Sequence, residues 1–171
     1  MSIHIASIDD VDKIITLGNK SYKQHFSDIW SIKGIEEFLS VNFNKIEIEN
    51  TIRNKKTTYI LDKNNDNEYI GFAKINWHVN IPNTTLYGAE LQKLYFLKGF
   101  TGIGHGEQMM INCVETAIKN KESVLWLDVL KSNIGAKKFY EKNGFTLCGE
   151  VDFRTDIKDI GLFVMMRNII S

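Results

Sequence analysis

The segment KGFTGIGHGEQMM, residues 98–110, packs four glycines into the eight positions from 99 to 106 and runs without a break into helical spacing. A glycine turn that opens a helix gathers N–H groups with no intrahelical partner, backed by the positive end of the helix dipole. With no Cβ in the way, successive N–H groups can converge and an anion can come close to them. The loop therefore reads as an anion site, with phosphate as the natural occupant. A triphosphate loop would end in GK[ST], but here Gly106 is followed by Glu107. A dinucleotide fingerprint is nearer, because Asp128 lies about twenty residues on, where a ribose-binding acid would sit. Its spacing fails: Gly102, Gly104 and Gly106 give G-x-G-x-G, and the last fingerprint glycine falls on Glu107. A turn that serves only strand-to-helix geometry is the remaining alternative.

The flanking chain predicts what the loop is built into. Ile3 and Ile5 mark a short strand, and Ser7 with Asp10 forms an S-x-x-D capping signature ahead of Val11, Ile14 and Ile15 at helical spacing. Residues 21–53 read as helical but poorly defined, with short helices near 32–39 and 47–53. The β-branched and aromatic runs at 57–61 and 69–77, separated by KNNDNE, predict an antiparallel hairpin. A third run spans 87–97 and ends at the glycines. Met110, Cys113, Val114, Ala117 and Ile118 then recur at helical spacing. VLWLDVL at 124–130 reads as an inner strand covered on both faces. A second helix over 133–143 closes at Gly144, and strands at 145–153 and 162–166 follow. The expected order is β-α-(α)-β-β-β-α-β-α-β-β: an α/β fold with a mixed sheet flanked by helices, in one domain over 1–171.

Composition removes several function classes. Lys plus Arg and Asp plus Glu both total 21, so no net field points to nucleic acid or to an anionic membrane. Cys113 and Cys148 form no CxxC, and the four histidines are scattered, which suggests neither a disulfide framework nor a metal site. The opening MSIHIASIDDVDKI lacks an apolar export segment, and the longest apolar run is LFVMM at 162–166, so a cytoplasmic location is expected, with no membrane partner.

LYFLKGFTGIGHGEQMM resembles the acyl-CoA pyrophosphate loop of the GNAT superfamily of N-acetyltransferases, a strand followed by Q/R-x-x-G-x-G/A and a helix. LDVLKSNIGAKKFYEKNGF, residues 127–145, resembles the superfamily's second segment, with Asn133, Ala136, Tyr140, Gly144 and Phe145 in register. The resemblance spans essentially the whole chain and implies the GNAT fold, a central, mostly antiparallel mixed sheet flanked by helices. FLSVNF, GAELQKLYFL and FRTDIKDIGLFVMMRN look most like the PaiA-type spermidine/spermine acetyltransferases. Thr101 stands where the family carries Gln or Arg, a change that the backbone contacts survive.

What the resemblance implies is acetyl-CoA with its pyrophosphate on the N–H groups of Gly102, Ile103, Gly104, His105, Gly106 and Glu107. Its pantetheine arm would lie along Leu94, Tyr95 and Phe96 and meet Asn133, with Lys142 in reach of a phosphate. No metal is implied. The acceptor must attack as a free amine although alkylammonium pKa values lie near ~10, so a base is needed. Glu90 is the candidate, and alternation puts Glu90, Gln92, Leu94 and Phe96 on one face. A backbone N–H near Tyr95 or Phe96 would hold the oxyanion. Tyr140 is the candidate acid for the departing thiolate. Each residue also has a plain structural reading: Glu90 as a strand glutamate, Tyr140 as packing, Asn133 as a helix cap, His105 as an exposed loop residue, Lys142 as a solvated helix end, and both cysteines as inert core thiols.

The expected reaction is acetyl transfer to a primary amine, with a small polyamine such as spermidine or spermine preferred. That preference follows from the PaiA-type resemblance, and the acids Asp28, Glu36, Glu37, Glu47, Glu49, Asp152, Asp156 and Asp159, which bracket the variable region, would suit a cationic amine. A peptide or protein amine is the alternative acceptor, and a silent CoA-binding sensor is the alternative class. A homodimer is left open.

Overall fold

The computed structural model describes residues 2–170. One seven-stranded sheet is built from β1 (Ser2–Ile5), β2 (Thr57–Lys63), β3 (Tyr69–Asn80), β4 (Tyr87–Phe96), β5 (Val124–Leu130), β6 (Thr146–Val151) and β7 (Leu162–Asn168). Strand order is β1-β2-β3-β4-β5-β7-β6, and every neighbouring pair is antiparallel except β4 with β5. The helices are α1 (Val11–Phe26), α2 (Ile32–Asn42), α3 (Lys45–Arg53), α4 (His105–Lys119) and α5 (Ile134–Lys142). This is the expected element order, and the segment that read as poorly defined resolves into the end of α1, all of α2 and all of α3.

Polar caps start several helices. Ser7 and Asp10 form the expected capping box, which opens a 3-10 turn leading into α1. Ser31, Asn44 and Asn133 accept from the backbone N–H of Gly34, Glu47 and Ala136 at the starts of α2, α3 and α5.

Apolar packing covers both faces of the sheet. On one, Met109, Met110, Cys113 and Ala117 of α4 meet Leu91, Phe96, Leu125 and Leu127, with Phe139 and Tyr140 of α5 alongside. On the other, Ile14, Leu17 and Tyr22 of α1, Leu39 of α2 and Ile48 of α3 meet Tyr59 and Phe72. Cys113 is buried, and burial pushes its thiol up to about 12, so it is unreactive.

Two irregularities shape the centre. β4 and β5 register only through Ala89↔Leu125 and Glu90↔Trp126, after which the strands part. In β4, Lys93 opposes Lys74 while Leu91 opposes Ile75, so Gln92 is a bulge. The bulge corrects the simple alternation. Leu94 and Phe96 pack with Leu91 on the α4 face, whereas Lys93 lies against Phe43 of the α1–α3 layer, 5.6 Å from its ring. Glu90 bonds to Asn76, on the same strand face as Lys74, so it shares the α1–α3 side with Lys93 and Tyr95.

Candidate functional site

Parting β4 from β5 opens a cleft of about 720 Å³. Its walls include Glu90 through Phe96 of β4, Asp128 through Leu130 at the end of β5, Asn133 and Tyr140 of α5, and Tyr22 and Phe26 of α1. Leu97 donates its N–H to Ile70 on the β3 side, so by alternation Leu94 and Phe96 turn their N–H and C=O groups toward the edge that β5 has left. His25 Nε2 lies 2.8 Å from the carbonyl oxygen of Phe96, which ties α1 to that edge.

Of the sequence-derived candidates, Glu90, Leu94, Tyr95, Phe96, Asn133 and Tyr140 line the cleft together, and Thr101 joins them. Gly102, Ile103, Gly104, Gly106 and Glu107 form a separate platform at the start of α4. Gly104 is its N-cap, with φ +96°, and a Cβ added there or at Gly102 meets nothing within 4 Å. The cradle is open above the backbone, as an incoming anion requires. Lys142 pairs with Glu107 beside that cradle, both side chains exposed. His105 is corrected from an exposed loop residue to a half-buried one, its Nδ1 2.7 Å from Oδ2 of Asp62. Asn133 accepts from Ala136 N–H at 3.1 Å and also faces the cleft.

The floor is charged. Glu90 accepts from Asn76 Nδ2 at 2.7 Å. Lys93, which is 6% exposed, donates to Asn42 Oδ1 at 3.1 Å, and burial followed by the Lys74 charge pulls its ammonium down to about 8 against the opposing pull of Glu90 and Asp128. Asp128 is pushed up to about 6, first by its surroundings and then by the charge of Glu90. Its side chain reaches cleft solvent while protein walls enclose it, which is why an open residue behaves as a desolvated one. Tyr140 is half-buried, and burial raises its phenol well above the ordinary range.

Sequence reasoning missed His25, Lys93 and Asn42, and weighed Asp128 only as a ribose-binding acid. Asp128 had a signal: it is the one charge inside the apolar run VLWLDVL. The acids chosen for amine recognition are mostly elsewhere. Glu36 pairs with Lys23, Glu37 with Lys33 and Asp159 with Arg154, Asp156 holds Ser31, and of the eight only Asp28 lines the cleft.

Residues 19–145 match the acetyltransferase (GNAT) family. The chain belongs to that family. An uncharacterized N-acetyltransferase of Mycobacterium tuberculosis is 35% identical over 81 residues, 47% of this chain and 52% of the relative. The chain thus spans about half the length of the first curated relatives that it matches. A spermidine N(1)-acetyltransferase of Thermoplasma acidophilum is 28% identical over 152 residues, 85% of this chain and 89% of the other. The crystal structure of the PaiA N-acetyltransferase from the same organism in complex with coenzyme A superposes with a TM-score of 0.79 at 24% identity, over 98% of this chain and 99% of that one. At that identity the likeness establishes the GNAT fold. Among the described residues no helix is long and apolar enough to cross a membrane, and no group of three or more His, Cys, Asp or Glu side chains could hold a metal ion.

Proposed function

We propose that this chain transfers an acetyl group from acetyl-CoA to a primary amine in the cleft, by direct attack with both substrates bound. The observation that carries the reading is the presence of three parts together: an open N–H cradle at Gly104, the freed edge of β4 at Leu94 and Phe96, and a cleft that contains Tyr140. The cradle suits a pyrophosphate and the strand edge suits the amides of a pantetheine arm, with Asn133 beside it. The thioester supplies the acyl group. The chain's own groups would do the rest: the acceptor's proton goes to the carboxylates of the floor, of which Glu90 is the one the sequence singles out. A backbone N–H at the free edge holds the developing oxyanion. The Tyr140 hydroxyl, kept protonated by its raised pKa, donates to the sulfur as the carbon–sulfur bond breaks.

Within this reading a small polyamine is the proposed acceptor. The spermidine acetyltransferase relative supports it, as does a cleft that sets the acids Asp28, Glu90 and Asp128 against the lysines Lys93 and Lys158. The test is CoA release from acetyl-CoA with spermidine, spermine, simple monoamines and short peptides, beside melting scans with acetyl-CoA, CoA and NAD. Turnover with spermidine or spermine and stabilisation by both CoA species are expected. Preference for a peptide would move the acceptor class to protein amines. Stabilisation by CoA without any turnover would favour a silent sensor, and a larger shift with NAD would end the acetyl-CoA reading.

A further inference from the structure

We propose that Asp128, with Glu90 as its fixed partner, is the group that takes the proton from the acceptor ammonium; this rests on the acetyl-transfer reading above. Its position is set by register. The last β4–β5 pair is Glu90↔Trp126, and Asp128 is the next residue of β5 on the same face, where the strands separate and the cleft begins. Val124 and Trp126, which precede it on that face, are buried among Ile81 and Val164, and Val164 is also its cross-strand partner on β7. β7 therefore sets an apolar residue, not a compensating charge, opposite it.

The groups that face Asp128 come from two other elements. From β4 they are Glu90, Lys93 and Tyr95, and from α5 Tyr140, whose titration responds to the Asp128 charge. Glu90 and Asp128 differ in what they already hold. Glu90 has one oxygen engaged by Asn76. Asp128 stands in apolar company opposite a like charge, and its elevation to about 6 agrees with that setting. A base poised nearer the working pH transfers protons better than an ordinary carboxylate.

In the step, an N–H bond of the ammonium breaks, an O–H bond forms on Asp128, and the electron pair stays on nitrogen, which then attacks the thioester carbonyl carbon. Asp128 borders cleft solvent, so it can release the proton before the next turnover.

The test uses the full chain as parent, Asp128→Asn, Asp128→Glu and Glu90→Gln. With spermidine as acceptor, kcat and KM are followed from about pH 5 to 10, with acetyl-CoA affinity by calorimetry. Asp128→Asn is expected to lose about 10²-fold or more in turnover and to lose the acid limb near pH 6, at unchanged acetyl-CoA affinity. Asp128→Glu should recover part of the rate, and Glu90→Gln should keep the limb. Retention of rate and limb in Asp128→Asn, or loss of the limb in Glu90→Gln alone, overturns the assignment. A carbon-13 carboxyl titration of the protein without substrates needs no activity. An Asp128 midpoint near 6 that falls in Glu90→Gln supports the proposal, and a midpoint in the ordinary carboxylate range rejects it. A parent that binds acetyl-CoA but acetylates no amine would instead defeat the acetyl-transfer reading, which separates the two failures.

Discussion

Nδ1 of His105, the first residue of α4, stands 2.7 Å from Oδ2 of Asp62, a carboxylate on β2 with no exposed surface, 43 residues earlier in the chain. The second oxygen, Oδ1, is buried without a hydrogen-bond partner. His105 is therefore what compensates Asp62, and the bond staples the mouth of α4 to the sheet. His105→Ala should cost about 3 kcal/mol, because it strands a buried carboxylate. Replacing both residues with apolar side chains of similar size should recover much of that. Urea unfolding of the single and double variants reads it; a loss below about 0.5 kcal/mol for His105→Ala would reduce the pair to a coincidence of packing.

That pair shows where the sequence stops being legible. Features set by near neighbours were readable: the Ser7–Asp10 capping box, the KNNDNE turn, Gly144 with φ +83° after α5, and the glycines before α4. Each is a backbone requirement met by one residue type at one spacing. The floor of the cleft has another origin. The bulge at Gln92 moves Lys93 and Tyr95 onto the side of Glu90, and no residue preference at Gln92 announces it. His25 reaches Phe96 across 71 positions, so nothing local to α1 marks it. The acids of α2 and α3 looked like amine ligands because exposed helices carry many acids, and the fold pairs Glu36 and Glu37 with lysines instead.

Gly104 offers a clean test of the cradle. Its φ of +96° strains any L side chain, by about 1–2 kcal/mol, and the space above it is empty. Gly104→Val should therefore remain folded with modestly lower stability while losing at least about 10-fold in acetyl-CoA affinity, because its branches stand where an anion would approach the N–H groups. Calorimetric titration beside a melting scan decides it, and unchanged affinity would leave the glycine a turn residue only.

Lys93 makes a pH-dependent prediction. Its folded value of about 8 lies below its ordinary 10.5, so the charged form is penalised in the folded state. The penalty is complete below about pH 8, shrinks as pH rises from there, and is gone above 10.5. Lys93→Met should accordingly gain thermal stability relative to the parent as pH falls from 10.5 to 8 and hold the gain below that. Removing the ammonium also takes away the attraction that lowers Asp128, so the acid limb of activity should move above 6. Melting curves and rate profiles across this range check both, and a limb that stays put or moves down would detach Lys93 from the floor.

Tyr140→Phe separates chemistry from packing. The ring sits 5.4 Å from Phe139 and 5.8 Å from Phe145, and phenylalanine preserves both contacts while losing only the hydroxyl. Burial holds that phenol protonated well beyond neutral pH, so it is available as a donor throughout the working range. If it protonates the departing thiolate, the lost interaction belongs to the transition state, and kcat should fall about 10²- to 10⁴-fold while acetyl-CoA affinity stays level. A packing role gives the reverse pattern: intact turnover and a loss near 1 kcal/mol in stability. Measuring kcat, the acetyl-CoA dissociation constant and the melting temperature on both proteins discriminates between them. Turnover within about threefold of the parent would remove Tyr140 from the mechanism. The proton would then have to reach the sulfur through water, and a CoA-binding module without catalysis would become the better account of the cleft.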